Sequence, residues 1–213
     1  MALIAFDRRD AAAFEATRHL GGEALDGWRE AITRYLDPQP GMCLLDLGSG
    51  TGSWSQAFRA WWPATDVLAV EPSVAMRERA VIAGVRAGDA ADIPVDDASV
   101  DAVWISTVIH HIPDLPVAAR EIRRVLKPGA PVLIRSVFPG RHAGITLCHF
   151  WPEAVTALND NYPTVAHRRG RVRHRGLHRR RARSDHADLR PVTVGGGHRA
   201  APRGAHPAAA DQR

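Results

Sequence analysis

The 213-residue sequence has only two cysteines, Cys43 and Cys148, and a single lysine, Lys127. Two cysteines so far apart do not form the pattern of a zinc site, and Cys43 leads into an apolar run that predicts a buried strand. We therefore expect no disulfide framework, no metal site and a reducing, cytoplasmic environment. No apolar run approaches the ~20 residues that span a bilayer, and the first residues lack the features of a signal peptide, so we expect no membrane partner.

Charge is divided unevenly along the chain. Residues 1–165 hold 15 of the 28 basic residues and 20 of the 23 acidic residues, which gives a net charge of −5. Residues 166–213 hold 13 basic and 3 acidic residues, which gives a net charge of +10. The later segment contains no Phe, Trp or Tyr, and Arg, Ala, Gly, Pro and His supply 37 of its 48 positions. Such a composition buries too little apolar surface to offset the entropy of ordering, so we predict a disordered tail over residues 166–213.

The arginine-rich tail has two interpretations. Nine arginines between Arg168 and Arg183 would attract phosphates without sequence specificity, which makes nucleic acid an alternative partner through residues 168–183. The tail lacks the interleaved aromatic side chains that stack on bases, which argues against that partner. Its composition also matches a GC-rich gene translated in the wrong frame, and we favour a frameshift or truncation near residue 165.

The most informative segment is an apolar run, residues 44–47, followed by glycines at every second position: Gly48, Gly50 and Gly52. This order is typical of a strand that stops at a tight turn and continues into a helix. Glycine allows a positive φ and has no Cβ, so a ligand can lie directly against the backbone. The unpaired N–H groups at the start of the helix favour a carboxylate or a phosphate.

A second apolar run, residues 66–71, ends in Glu71, which follows Gly52 by 19 residues. In a doubly wound sheet, an acid at the tip of the second strand can accept hydrogen bonds from two ribose hydroxyls. The glycine turn and this acid together indicate a site for a ligand that carries a nucleoside. The alternative is an α/β turn that needs its glycines only for packing.

Strand and helix patterns alternate along the chain, which predicts an α/β fold with a doubly wound, mostly parallel sheet and N-terminal helices. The predicted strands cover residues 42–47, 66–71, 85–89, 99–106 and 131–137. The predicted helices cover residues 7–36, 53–62, 73–83, 115–126 and 150–160. We divide the chain into an N-terminal helical cap over residues 1–40, a nucleoside-binding domain over residues 41–165 and the tail.

The ordered motifs resemble those of the class I S-adenosylmethionine-dependent methyltransferases, especially the ubiquinone/menaquinone-type branch that acts on small molecules. The resemblance rests on four stretches: Leu44–Gly52, Val70–Ser73, Gly88–Pro94, and His110–Ile112 with Glu121–Gly129. It implies a Rossmann-like fold, S-adenosylmethionine as cofactor and a small-molecule methyl acceptor. In this family two more strands usually follow the fifth, and the sequence offers no such pair after residue 138. We therefore expect the sheet to lack its last two strands and turnover to be impaired.

The resemblance also implies roles for residues of the cofactor site. The three glycines would cradle the methionine part of the cofactor, with Asp46 near its ammonium group, and Glu71 would hold the ribose hydroxyls. Asp89 would accept a hydrogen bond from the adenine amino group, with the Ala90 backbone beside it. Ser106 and its neighbour Thr107, at the tip of the fourth strand, would flank the activated methyl group.

His110 and His111 follow the fourth strand, where the acceptor should lie. A histidine there has a suitable pKa for removing a proton from the acceptor, and His111 is the closer match to the family position. The alternative is that the pair lines the pocket or hydrogen-bonds a loop carbonyl. A dinucleotide-dependent oxidoreductase is another alternative, but Ser53 replaces the last glycine of its usual G-x-G-x-x-G pattern.

Overall fold

The computed structural model describes residues 22–141 and 153–163. In chain order its helices and strands are α1 (Gly22–Leu36), β1 (Cys43–Leu47), α2 (Ser53–Trp61), β2 (Asp66–Glu71), α3 (Val74–Glu78), β3 (Arg86–Ala87), β4 (Ala102–Ser106), α4 (Leu115–Val125), β5 (Val132–Arg135) and α5 (Glu153–Asn161). The predicted helical segment over residues 7–21 and the predicted disordered tail lie outside the described residues.

The five strands form one parallel sheet in the order β3-β2-β1-β4-β5. β1 lies at the centre, pairing with β2 on one side and β4 on the other. The strand order reverses between β1 and β4, and such a switch point opens a crevice at the carboxyl ends of the strands. This arrangement confirms the predicted Rossmann-like α/β class, and no strand follows β5 in the part of the chain that the structure describes.

The sheet is buried on both faces, as expected for parallel strands between helices. On one face, Leu44 and Trp104 pack against Ile32 of α1 and Phe58 of α2. On the other, Leu45 of β1 and Val103 and Ile105 of β4 belong to one cluster with Val125 of α4. Successive side chains of a strand alternate between faces, so Asp46, two residues after Leu44, lies on the face that α1 and α2 cover.

Two predicted boundaries differ from the structure by several residues. The helix expected over residues 73–83 ends at Glu78, because the following segment folds back on the glycine turn: the Val81 amide donates to the Thr51 carbonyl at 2.8 Å, and Ile82 packs at Gly52. The strand expected from residue 99 begins at Ala102, because Val100 forms an isolated bridge with Leu126 instead.

Helix α1 packs on the same core as the sheet, since Ile32 and Leu36 share a cluster with Leu44 and Trp104. The division of the chain into a cap and a separate nucleoside-binding domain stays a prediction. No helix within residues 22–141 and 153–163 is both long enough and apolar enough to cross a membrane.

Phe58 anchors the aromatic core on the α1–α2 face, where its ring centroid lies 5.5–5.8 Å from those of four tryptophans: Trp54, Trp61, Trp62 and Trp104. Phe58→Ala should lower the free energy of unfolding by about 3–5 kcal/mol, because it removes a buried ring and leaves a cavity. Urea denaturation measures the loss. Tyr35→Ala, at a half-exposed position of α1, is the control, and an equal loss in both variants would contradict this role of Phe58.

Candidate functional site

Four polar side chains share one face of the sheet at the carboxyl ends of the strands. Asp46 is next to last in β1, and Glu71, Ser106 and Arg135 are the last residues of β2, β4 and β5. Asp46 pairs with Ala69 and Trp104, which lie two residues before Glu71 and Ser106, and Ser106 pairs with Arg135. Because alternate residues face the same side, this register places all four side chains on the α1–α2 face.

The turn after β1 is built on the end of β2. The amides of Gly48 and Ser49 donate to the Val70 carbonyl at 2.8 and 3.0 Å, and the Gly50 amide donates to Glu71 Oε2 at 2.9 Å. Gly48, Gly50 and Gly52 have φ angles of 73°, 59° and 86°. This left-handed backbone strains any residue with a Cβ. The turn that the sequence predicted is therefore present and held by the predicted acid.

Two of the glycines are also required by packing. A Cβ at Gly48 would lie 2.6 Å from Val108 Cγ2, and a Cβ at Gly52 would lie 2.7 Å from Ile82 Cγ1. Val108 comes from the loop after β4, and Ile82 from the segment after α3. The turn is thus pressed between two branched side chains, which fixes its backbone at the switch point.

Glu71 is almost fully buried yet well supplied with hydrogen bonds. Its Oε2 accepts from Gly50, and its Oε1 accepts from the Ser73 amide at 2.8 Å. Burial raises the pKa of Glu71, and the two amides and the nearby Arg77 offset part of that effect. A carboxylate can accept about four hydrogen bonds, so each oxygen keeps a lone pair for a further donor.

Asp46 is a buried carboxyl group with an unsatisfied oxygen. Ser55 donates its hydroxyl to Asp46 Oδ2 at 2.7 Å, and Oδ1 has no hydrogen-bond partner. Burial raises the pKa of Asp46 to about 7, the hydrogen bonds from Ser55 oppose the shift, and the charge of Glu71 adds to it. An unpartnered buried acceptor of this kind suits a cationic ligand.

The loop after β3 contains the predicted adenine-binding residues. Asp89 is exposed, and its Oδ1 accepts from the amides of Ala91 and Asp92 at 2.7 and 3.1 Å, while Ala90 is half-buried. Helix α4 holds the far side of this loop: Glu121 accepts from the Ile93 amide, and Arg124 donates to the Ile93 carbonyl. The roles of Asp89 and Ala90 in binding adenine stay predictions.

The tip of β4 is bound to the end of β5. Arg135 Nη1 donates to Ser106 Oγ at 3.1 Å and to Thr107 Oγ1 at 3.0 Å, and the Thr107 amide donates to the Arg135 carbonyl at 2.7 Å. Thr107 has a φ of 60°. A β-branched residue rarely adopts such a backbone, and strain of this kind is concentrated at functional sites.

His110 and His111 lie in the short 3-10 turn Ile109–His111 that follows β4. Their ring centroids are 3.9 Å apart, and Tyr162 stacks on His110 at 4.1 Å with 21° between the ring planes. The Tyr162 hydroxyl lies 3.3 Å from His110 Nε2. The structure therefore brings the predicted histidine pair to the same edge as Ser106, and adds a tyrosine from beyond α5.

Four residues of this region were not predicted from the sequence: Arg135, Ser55, Val108 and Tyr162. Arg135 carried a signal, because it is a charged residue at the carboxyl end of an otherwise apolar predicted strand. Ser55 and Val108 carried none, since neither differs from an ordinary helix or loop residue until the fold places it against Asp46 or Gly48. Tyr162 is 52 residues from His110, and no local pattern reports such a contact.

Comparison with known proteins agrees with this geometry. Residues 45–134 match the family model of the methyltransferase domain. The chain is 33% identical over 125 residues to the ubiquinone/menaquinone biosynthesis C-methyltransferase of Caulobacter vibrioides, covering 50% of this chain and 48% of the relative. It is 35% identical over 114 residues to the malonyl-(acyl-carrier protein) O-methyltransferase of Erwinia pyrifoliae, covering 52% and 43%. The chain thus spans about half the length of the curated relatives it matches.

The fold is also similar to that of Haemonchus contortus phosphoethanolamine N-methyltransferase 2, solved with phosphomonomethylethanolamine and S-adenosylhomocysteine. The TM-score is 0.60 at 23% identity, covering 77% of this chain and 40% of that chain, and this likeness concerns the fold alone. The sheet and the glycine turn have the arrangement of a Rossmann-like domain. Over residues 45–134 the chain is similar to the methyltransferase domain, and the curated relatives it resembles include ubiquinone/menaquinone-type methyltransferases, as its motifs indicated.

Replacing Gly48 tests whether the turn forms the cofactor site. Gly48→Ala should destabilise the fold and weaken binding of S-adenosylhomocysteine, because the new Cβ meets Val108 and the backbone is left-handed. Gly41→Ala is the matched control, since Gly41 has a φ of 81° but open space around it; its cost should be about 1–2 kcal/mol. Urea denaturation and calorimetry measure both effects. Equal destabilisation by the two substitutions would contradict the packing argument, and Val108→Ala should partly rescue Gly48→Ala.

The raised pKa of Asp46 predicts a pH-dependent stability. Between its ordinary value of 3.8 and about 7, the folded chain keeps a proton on Asp46 that the unfolded chain releases. Stability should therefore fall as pH rises through this window, by at most about 1.4 kcal/mol per pH unit from this group. Asp46→Asn cannot ionise, so the stability of the native chain relative to this variant should decrease from pH 5 to pH 7. Urea denaturation at both pH values measures it, and a constant difference would contradict the shift.

Proposed function

We propose that this chain transfers a methyl group from S-adenosylmethionine to a small-molecule acceptor. The observation that carries the proposal is the hydrogen bond from the Gly50 amide to the buried carboxylate of Glu71. It joins the left-handed glycine turn to the acid at the tip of β2, and these are the two features that a nucleoside needs at a switch point.

The residues present fit a cationic nucleoside. Asp46 Oδ1 is a buried acceptor without a partner, which suits the ammonium group. Glu71 has lone pairs left for the ribose hydroxyls after accepting from Gly50 and Ser73. Asp89 and Ala90, in the loop after β3, would hold the adenine.

The bound sulfonium supplies a methyl group that is already activated for displacement. The chain's own residues would then align the acceptor and exclude water, which is where most of the rate enhancement arises. Ser106 and Thr107 would flank the methyl position. His110 or His111 would take a proton from the acceptor where methylation requires its loss.

The small-molecule acceptor is inferred from the relatives, of which one is named for ubiquinone/menaquinone biosynthesis and another for malonyl-(acyl-carrier protein). The two alternatives drawn from the sequence, a dinucleotide-dependent oxidoreductase and a nucleic-acid-binding protein, gain no support. Ser53 begins α2 at the position where a dinucleotide-binding turn has glycine, and residues 168–183 lie outside the described part of the chain. The cytoplasmic location and impaired turnover stay predictions.

Binding of S-adenosylhomocysteine to Glu71→Gln tests the proposal. The substitution leaves one oxygen and turns an NH2 group toward a backbone amide, so the affinity should fall about 10–100-fold. Isothermal calorimetry with S-adenosylhomocysteine and NAD, run side by side on the full chain, measures it. The native chain should bind the first and not the second.

Asp66→Asn is the matched control, because Asp66 is an exposed acid at the opposite end of the same strand. Its affinity for S-adenosylhomocysteine should equal that of the native chain. Thermal unfolding of each variant separates loss of the site from loss of the fold. If NAD bound in preference, or if Glu71→Gln bound as tightly as the native chain while folded, the proposal would fail.

A further inference from the structure

Two side chains of the motif Glu121–Gly129 bind the loop after β3. Glu121 Oε1 accepts from the Ile93 amide at 3.0 Å, and Arg124 Nη2 donates to the Ile93 carbonyl at 2.9 Å. The two side chains are three residues apart on α4, so one face of that helix holds both backbone polar groups of Ile93. The Ile93 side chain is buried in the same cluster as Leu45 of β1. The loop is therefore attached to the rest of the domain at this residue.

Arg124 uses each of its five N–H groups. Nε and Nη2 donate to the two oxygens of Glu121 at 3.0 and 2.6 Å. Nη1 donates to the Val95 carbonyl at 2.9 Å and to Asp97 Oδ1 at 2.6 Å. With the bond to Ile93, these are the five hydrogen bonds that a guanidinium can donate. A lysine ammonium has three donors and no planar fork, so it cannot make the same set of contacts.

The constraint at Ile93 reaches Asp89 through a short closed loop. Asp92, the residue before Ile93, exchanges backbone hydrogen bonds with Asp89, each at 3.3 Å. The Asp89 carboxylate also accepts from the amides of Ala91 and Asp92 through Oδ1. Both the backbone and the carboxylate of Asp89 are thus bonded to the residue that precedes Ile93. A displacement of Ile93 would therefore displace Asp89.

The remaining contacts leave this loop little room to adjust. A Cβ at Gly88 would lie 2.5 Å from Pro94 Cδ and 3.0 Å from the Asp92 carbonyl oxygen, so the two limbs of the loop are in close contact. Arg86 of β3 donates to the Pro94 carbonyl at 2.9 Å. Arginine side chains from β3 and α4 thus donate to three consecutive carbonyls of the loop: Ile93, Pro94 and Val95. These contacts fix where the backbone of the loop lies.

We propose that Arg124 and Glu121 are positioning residues for adenine recognition. By holding Ile93, they keep the Asp89 carboxylate where it accepts a hydrogen bond from the amino group of the base, and they thereby make the site selective for a 6-aminopurine. This proposal rests on the proposed function, because it concerns the base of the same cofactor. Neither residue touches the cofactor, and each acts through the backbone of the loop.

The exposure of Asp89 explains why the loop needs to be held. The side chain is open to solvent, so no surrounding packing restricts it. Ordering a loose loop when the ligand binds costs conformational entropy, which offsets the hydrogen bond that the loop then makes. Because α4 already orders the backbone next to Asp89, that cost is not incurred on binding. The hydrogen bond to the base can then contribute to affinity.

Two cofactor analogues that differ in the base test this selectivity. S-inosylhomocysteine has a carbonyl oxygen in place of the 6-amino group of S-adenosylhomocysteine, so it offers Asp89 an acceptor instead of a donor. The native chain should bind S-adenosylhomocysteine about tenfold more tightly, at the lower end for a hydrogen bond to a charged group because Asp89 is exposed. Isothermal calorimetry of the full chain with each analogue measures the ratio of the two affinities.

Three variants separate the positioning contacts from the acid itself. Arg124→Lys keeps the charge but loses the paired contacts to the loop, so the affinity ratio should fall to about twofold. Glu121→Gln removes the charge that orients Arg124 and should give an intermediate ratio, which tests the proposal even if Arg124→Lys does not fold. Asp89→Asn should lose the preference entirely, because a side-chain amide both donates and accepts.

Lys127→Gln is the matched control, because it breaks an ion pair of the same motif that does not hold the loop. Lys127 Nζ lies 2.8 Å from Asp101 Oδ2, and that oxygen accepts from the Cys43 amide at the start of β1. The affinity ratio of Lys127→Gln should equal that of the native chain. Thermal unfolding of each variant measures how much stability either ion pair contributes.

A purely structural role for Arg124 predicts a different result. Both analogues would then lose affinity in the same proportion, and the ratio would stay at its native value while the Tm falls. An unchanged ratio in folded Arg124→Lys or Glu121→Gln, with Asp89→Asn losing the preference, would overturn the positioning role.

Failure of this proposal can be told apart from failure of the proposed function. If the native chain binds S-adenosylhomocysteine and S-inosylhomocysteine equally well, adenine selectivity through this loop is wrong and the methyl donor site stands. If the native chain binds neither analogue, the proposed function fails, and the positioning role fails with it.

Discussion

The hydrogen bond between the Gly50 amide and the Glu71 carboxylate holds the centre of this structure. It connects the turn after β1 to the end of β2, and the same carboxylate also receives the Ser73 amide at the start of α3. Burial makes the charged form of Glu71 costly, and those two amides compensate part of the cost. The geometry of the site therefore depends on the Glu71 carboxylate, which the surrounding backbone amides stabilise.

The placement of the other polar groups follows from strand register. β1 pairs with β2 and β4, and β4 pairs with β5, so residues of one parity from four strands reach the same face at one edge. Asp46 and Glu71 make one half of that edge acidic, and Arg135 makes the other half basic. Acidic and basic side chains are thus separated along one edge by the register of the strands alone.

Much of the fold could be predicted from the sequence, because its signals are local. The run from Leu44 to Leu47, the glycine spacing and the acid at Glu71 each report a strand end or a turn, and the structure contains all of them. The end of α3 could not be predicted, since it depends on Val81 and Ile82 meeting a turn some thirty residues earlier in the chain. Arg135 was visible as a charge in an apolar strand, but its partners Ser106 and Thr107 are set by sheet register, which the sequence does not state.

The glycine turn has a consequence for the order of assembly. Gly48 lies against Val108 and Gly52 against Ile82, so the turn is completed by segments that the ribosome produces much later. A nascent chain that has emerged only through β2 contains all three glycines and the carboxylate of Glu71. It lacks Ile82 and Val108, the two side chains that pack against the turn. The glycine turn is thus encoded early and completed late, and a chain interrupted before the fourth strand would carry the three glycines without Val108, one of the two side chains that pack against them.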